Sequence, residues 1–307
     1  MEYTNQRIAY GNTLVELGKQ NKNIVVLDAD LGGSTMGRLF ENECPERHFE
    51  VGIAEANMMS MAAGLAQTGK IAFCNSFAVF ASGRAYDQIR QTISIGKLNV
   101  KIVGSSAGLS DFGDGSTHQS VEDLAIMRAI PNLTVLSPAD ANETVQATKA
   151  AAEYNGPVYI RLNRHDCDNV TPENKPFEIG QPTVLREGKD VVVFATGICV
   201  GMALKAAEIS PIDIRVVNVS TIKPLNAEKI AELCRDVKAV VCAEEHSVIG
   251  GLGSAIAESL RRTGKPIEFV GINDSFGCSA HNYEELLKHY GITTKAINKA
   301  VEEVYKW

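Results

Sequence analysis

No block of basic residues occurs in the sequence, and its formal net charge is −7. Nucleic acid and anionic membrane surfaces are therefore poor expectations as partners. No apolar run reaches membrane-spanning length, and Met1-Glu2-Tyr3-Thr4-Asn5 carries no secretory pattern. None of the seven cysteines (44, 74, 167, 199, 234, 242 and 278) belongs to a C-x-x-C pair. They sit mostly in apolar runs, the pattern of buried reduced thiols, and this points to a cytoplasmic protein without a cysteine-held metal. What remains, 45% hydrophobic and 22% charged residues over 307 positions, suits about two ordinary globular domains.

Short apolar strands alternate with helical patterns. In the first half, strands are expected over 23–28, 70–74, 100–103, 133–136 and 158–161. Helices are expected over 7–19, from 55 onward, and over 81–95, 121–129 and 139–153. A stretch with three prolines and little periodicity, 169–182, reads as a linker. Alternation then resumes, with strands over 191–196, 214–219, 239–243 and 267–270. Helices over 202–208, 227–234, 250–262, 283–290 and 294–305 accompany them. This rhythm predicts an α/β fold with two parallel-sheet domains, 1–168 and 183–307, each sheet covered on both faces.

The chain is organised around Phe49-Glu-Val-Gly-Ile-Ala-Glu55-Ala-Asn-Met58. Gly52 breaks a β-rich run, and Met58, Met61, Ala62 and Leu65 then fall at i, i+3, i+4 and i+7. Extended backward, that stripe includes Glu55. Either a carboxylate is aimed at an apolar surface, where burial disfavours its charge, or Glu55 is an ordinary first-turn acid favoured by the helix dipole.

In open α/β sheets, sites form in loops beyond the carboxyl ends of strands. Four loops here are rich in polar residues or glycine: 28–35, with Asp30 and Ser34; the segment leading into Glu55; 75–80, with Phe77 and Phe80; and 111–119, with Asp114 and His118. Phe77 and Phe80 present two rings to one site or pack in the core. His118 is a site residue or a surface histidine. Gly113-Asp114-Gly115 with a downstream asparagine imitates a magnesium-diphosphate pattern. However, Asn142 lies in Pro138-Ala-Asp140-Ala-Asn142-Glu143, which reads as a helix start capped by Asp140. No metal site is expected on this chain.

Together these loops resemble the transketolase family of thiamine diphosphate enzymes. Val51-Gly-Ile-Ala-Glu55-Ala-Asn57 is similar to that family's motif around its catalytic glutamate. Asp114-Gly-Ser-Thr-His118-Gln119 is similar to "DGPTHQ", with Ser116 for proline, and 130–143 is similar to "IPN…PAD-x-NE". Ala85-Tyr-Asp-Gln88, Lys223-Pro-Leu225 and Glu244-Glu-His246 with Gly250-Gly-Leu-Gly253 are further matches, also shared with deoxyxylulose-phosphate synthase. The resemblance covers nearly the whole chain. It implies a pyrimidine-binding domain followed by the family's C-terminal domain, with the domain that binds diphosphate and magnesium supplied by a separate N-terminal subunit. The expected assembly is a dimer of such heterodimers, with the isolated chain inactive.

Carried over residue by residue, the resemblance gives Glu55 the hydrogen bond to the aminopyrimidine ring and Phe77 and Phe80 the aromatic contacts. The carbanion chemistry then belongs to the cofactor. His118 donates to substrate oxygen or shuttles protons, and Asp114 accepts from a donor-sugar hydroxyl. Arg7, Asp30, Ser34 and Arg164 fall on or beside substrate positions, with Arg161 a nearby alternative; arginine forks suit phosphate. At Ser106 transketolases carry a further histidine, and at Ala107 the synthases carry an arginine, so the sugar's terminal group is left open. The expected reaction is transfer of a two-carbon ketol unit from a ketose phosphate to an aldose. The alternatives are a deoxyxylulose-phosphate synthase-like subunit, a 2-oxo acid dehydrogenase β-like subunit and a non-catalytic paralogue.

Overall fold

The computed structural model describes residues 4–307. Its strands are β1 (Ile24–Asp28), β2 (His48–Glu50), β3 (Ile71–Phe77), β4 (Val100–Ser105), β5 (Thr134–Leu136) and β6 (Val158–Arg161) in the first half. The second half holds β7 (Thr183–Arg186), β8 (Val191–Ala195), β9 (Ile214–Asn218), β10 (Thr221–Lys223), β11 (Ala239–Ser247) and β12 (Ile267–Ile272). The first sheet runs β10-β5-β6-β4-β3-β1-β2 and the second β12-β11-β8-β9-β7. Pairs within each sheet are parallel except at one edge of each, where β10 runs antiparallel to β5 and β7 antiparallel to β9. β1, β4, β6, β8 and β9 are buried at every residue, as strands covered by helices on both faces must be.

The first sheet draws one strand from beyond the expected linker, because Thr221 of β10 pairs with Leu136 of β5. Within 169–182 no helix or strand forms, but Asp140 ties it down, accepting from the backbone amides of Val170 and Thr171 at 2.7 Å each. The same side chain caps the helix Ala141–Glu153 by accepting from the Glu143 amide at 2.9 Å.

Besides the antiparallel edge strands β7 and β10, which were not expected, further features depart from the expected elements. The loop after β1 coils into two short helices, Gly32–Thr35 and Gly37–Glu43. The helix expected over 81–95 is wide-turned over Val79–Arg84 and Ile89–Ser94, with one tighter turn between; such widened turns recur near functional sites. Five cysteines are buried as expected, but Cys167 is half-buried and Cys278 exposed. No helix among the described residues is long and apolar enough to cross a membrane.

Candidate active site

Strands β6, β4, β3, β1 and β2 are consecutive neighbours in the first sheet. Each is followed at its carboxyl end by a loop that carries a candidate residue: Arg164 after β6, Ser106 to His118 after β4, Phe80 after β3, Asp30 and Ser34 after β1, and Glu55 after β2. The sheet thus gathers into one row what the sequence scatters over 135 positions, from Asp30 to Arg164.

Glu55 opens the helix Glu55–Gln67, reached through Gly52 at φ +71. It is 3% exposed, over the fully buried Met58 and Met59. Its Oε2 receives no hydrogen bond from the described residues, and Arg84 Nε stands 4.0 Å away. A buried carboxylate oxygen without a donor is costly, so the site is shaped for a donor from outside the chain. Arg84 also lies over the Phe80 ring, 5.7 Å from its centroid.

Phe77 is buried and Phe80 half-buried. Their rings lie 6.2 Å apart at an interplanar angle of 15°, and the His118 imidazole meets Phe80 edge-on at 5.2 Å and Phe77 at 6.3 Å. Thr117 Oγ1 lies 2.9 Å from His118 Nδ1, leaving Nε2 for another partner. Beyond Phe77, Arg164 lies over the ring at 5.7 Å and donates from Nη1 to Asp111 Oδ2 at 2.9 Å. Ser106, buried at φ +53, has its Oγ 3.5 Å from the same nitrogen.

Arg7 completes the row. It donates to the backbone oxygens of Ser34 at 2.8 Å and Arg164 at 3.0 Å, while its buried Nε has no partner among the described residues. Burial and the Arg164 charge lower its pKa. Asp114 is exposed and lies near Asp111, whose carboxyl is pushed up by burial and by Asp114 against the pull of Arg164. Asp30 is exposed, and its amide donates to Glu50 Oε1 at 2.8 Å.

Arg161 stands apart from the other candidates. It is 6% exposed, donating to Asp123 from Nε at 3.0 Å and to the Glu245 backbone oxygen from Nη2 at 2.8 Å. Tyr159 also donates to Asp123, at 2.8 Å. Burial alone would lower its pKa, but Asp123 and Glu245 hold the guanidinium above its ordinary value. Its guanidinium joins the two domains rather than opening onto a substrate. Two residues of the row escaped the sequence reading. Asp111 lay inside a recognised loop, but only its pairing with Arg164 singles it out. Arg84 lay on an expected helix, with no signal that it faces Glu55. Among the described residues no cluster of three or more His, Cys, Asp or Glu side chains offers a metal site. Asn142 donates to the Thr171 oxygen instead.

Residues 3–168 match the family model for the transketolase pyrimidine-binding domain and residues 180–297 that for the transketolase C-terminal domain. A Methanocaldococcus jannaschii protein, named provisionally as a transketolase C-terminal section, is 48% identical over 99% of this chain and 97% of its own length. The 6-deoxy-6-sulfo-D-fructose transketolase subunit SqwH of a Clostridium species is 43% identical over 97% of this chain and 94% of its own. Human transketolase is 36% identical over 96% of this chain, but the match spans 48% of the human protein. A solved structure described as a split gene transketolase, inactive beta4 tetramer, superposes with a TM-score of 0.92 at 48% identity, covering 99% of both chains. Both domains, in order and across nearly the whole chain, make this protein a member of the transketolase family.

Proposed function

We propose that this chain is the C-terminal subunit of a split transketolase, active only with an N-terminal subunit that binds the diphosphate and magnesium of thiamine diphosphate. The observation that carries the reading is the buried, donorless Oε2 of Glu55. The cofactor fits these residues: Glu55 would hold the aminopyrimidine ring nitrogen, and the half-buried Phe80, backed by Phe77, offers a flat face for stacking. Thiamine diphosphate supplies the carbanion chemistry of ketol transfer.

This chain's residues do the rest. Glu55 sets its buried carboxyl group against the ring nitrogen. His118 Nε2 donates to substrate oxygen or carries a proton, a role suited to an imidazole. Asp114 accepts from a sugar hydroxyl. Arg7, Arg164 and Ser34 meet the substrate's phosphate, with Asp30 at the mouth of the same loop. Arg161 is left out of this set because its donors are engaged between the domains. The quaternary reading is a dimer of heterodimers, with the isolated chain inactive; the description of the superposed structure as an inactive beta4 tetramer supports the second part.

A pyruvate-using synthase is the second reading, favoured by 37% identity to a deoxyxylulose-phosphate synthase over 48% of that protein. Ala107, buried and without charge, counts against it. One experiment separates the two. The chain is mixed with its N-terminal subunit, thiamine diphosphate and magnesium, then supplied with xylulose 5-phosphate plus ribose 5-phosphate, or with pyruvate plus glyceraldehyde 3-phosphate. Turnover of the first pair alone is expected. Turnover of the second alone overturns the transketolase reading, and turnover by this chain without its partner overturns the split.

A further inference from the structure

The mechanism above makes no use of Glu245, yet its fully buried carboxylate reaches both segments that carry the anion site. Oε1 accepts from the Leu109 amide at 2.7 Å, and Oε2 accepts from Asn163 Nδ2 at 3.1 Å. Leu109 stands two residues before Asp111, and Asn163 directly precedes Arg164. The Tyr283 hydroxyl accepts from the same Asn163 Nδ2 at 2.7 Å and lies near enough to the carboxylate to hold its pKa down. Neither segment can back away easily. Gly108 sits at φ +64, where a Cβ would lie 2.5 Å from Glu245 Oε1, and the Asn163 amide donates to Gln6 Oε1 at 2.6 Å.

We propose that Glu245 is a positioning residue through which the C-terminal domain sets Arg164 against Asp111, and so sets affinity for the substrate's terminal anion. The proposal rests on the reading of Arg164 as an anion-binding residue. Its logic is a count of acceptors. The ionised carboxylate offers an acceptor to each segment. A protonated carboxyl, or an amide, offers one acceptor and a donor, and that donor confronts an N–H. Asn163 cannot invert to receive it, because its Oδ1 already accepts from the His165 amide at 2.7 Å.

The arrangement also makes affinity depend on pH. Burial pushes Glu245 up to about 7 against the pull of Arg161 and of its hydrogen-bond donors. The groups that face it are Arg161 and Asn163 beside β6, Leu109 in the loop after β4, Tyr283 on the helix Tyr283–His289 and Cys199 on the helix Cys199–Ile209. Above that pH both acceptors are present; below it one is lost.

The test uses the assembled two-subunit enzyme with a phosphorylated ketose. Glu245→Gln is expected to raise KM about tenfold with kcat within about twofold. It should also abolish the rise in KM expected of the unsubstituted enzyme between about pH 8 and about pH 6. Tyr283→Phe keeps the carboxylate but removes a hydroxyl that holds its pKa down, so the midpoint of that rise should move to higher pH. It carries the test if Glu245→Gln does not fold. An unchanged KM, an unchanged pH profile, or a kcat that falls in step with kcat/KM overturns the proposal. Arg164→Ala separates the two possible failures. If its KM is unchanged, the anion-site reading falls and the proposal with it; if its KM rises while Glu245→Gln leaves KM alone, only the positioning role falls. Should no ketose phosphate turn over, the Kd of inorganic phosphate for the assembled enzyme, read by calorimetry on the same variants, takes the place of KM.

Discussion

Arg164 Nη1 lies 2.9 Å from Asp111 Oδ2, so the arginine proposed to meet a substrate's anionic end is already paired with an acid of its own chain. Asn at 111 keeps an oxygen for Arg164 and removes the charge. A unit charge about 5 Å from a phosphate, at an effective dielectric of about 20, is worth about 3 kcal/mol before screening and about 1 kcal/mol after it. Asp111→Asn should therefore lower KM for a phosphorylated ketose about fivefold and leave KM for an uncharged ketose unchanged. The gap should shrink as salt is added. A rise in KM for the phosphorylated ketose alone would mean that Asp111 acts chiefly by bracing Arg164.

Arg161 and Arg164 are three residues apart and should respond oppositely to truncation. Arg161→Ala leaves Asp123 buried without its counter-ion and the Glu245 oxygen without its donor. Breaking a buried pair in this way costs about 3–5 kcal/mol. Arg164 is about a third exposed, and Arg164→Ala should cost under about 1 kcal/mol while raising KM strongly. Thermal melts beside KM measurements check both.

Why the sequence could not separate these two arginines follows from where they sit. β6 is buried on both faces, so the alternation that sorts inward from outward residues in a one-faced sheet gives no information there. Asp123, which claims Arg161, comes from the helix Asp123–Ala129, and no local pattern links the two. The buried strands were legible as continuous apolar runs, and the Glu55 helix by its i, i+3, i+4, i+7 period. The strands β7 and β10 were not, and β2 was seen only as a β-rich run before Gly52, since none forms a continuous apolar run, and β10 gains its place only by pairing with the distant β5. Likewise, the loops after β1 and β4 were recognisable as polar, but the Asp111–Arg164 pair needed the fold to bring them together.

Glu143 predicts a pH dependence of stability. Its carboxylate is buried at the junction of the domains, accepting from the Ala139 amide and Ser220 Oγ at 2.7 Å each and from Asn218 Nδ2 at 2.9 Å. Burial raises its pKa despite these donors. The folded state thus holds the proton more tightly than the unfolded chain. The stability from this group is complete below the ordinary carboxylate range and is lost as pH rises through the raised value. Denaturant unfolding of the unsubstituted chain and of Glu143→Gln, compared across pH, should show the difference moving in favour of the variant as pH rises. A difference that is flat or moves the other way refutes the assignment.

Glu55 gives the sharpest test, because its two readings predict opposite signs. An acid that only serves the first helical turn contributes about 0.3–1 kcal/mol through the dipole. Replacing it with glutamine would then destabilise the chain slightly and spare turnover. A carboxylate held buried without a donor is instead a cost that folding bears for the sake of the cofactor. Glu55→Gln should then melt at the same temperature as the unsubstituted chain or a few degrees higher, at about 2–4 °C per kcal/mol for domains of this size. In the assembled enzyme, turnover should fall at least about a hundredfold, a loss of about 2.7 kcal/mol or more in transition-state stabilisation. The two measurements bear on each other: a lower melting temperature with turnover intact would return Glu55 to its ordinary role, and the proposed function would lose the observation that carries it.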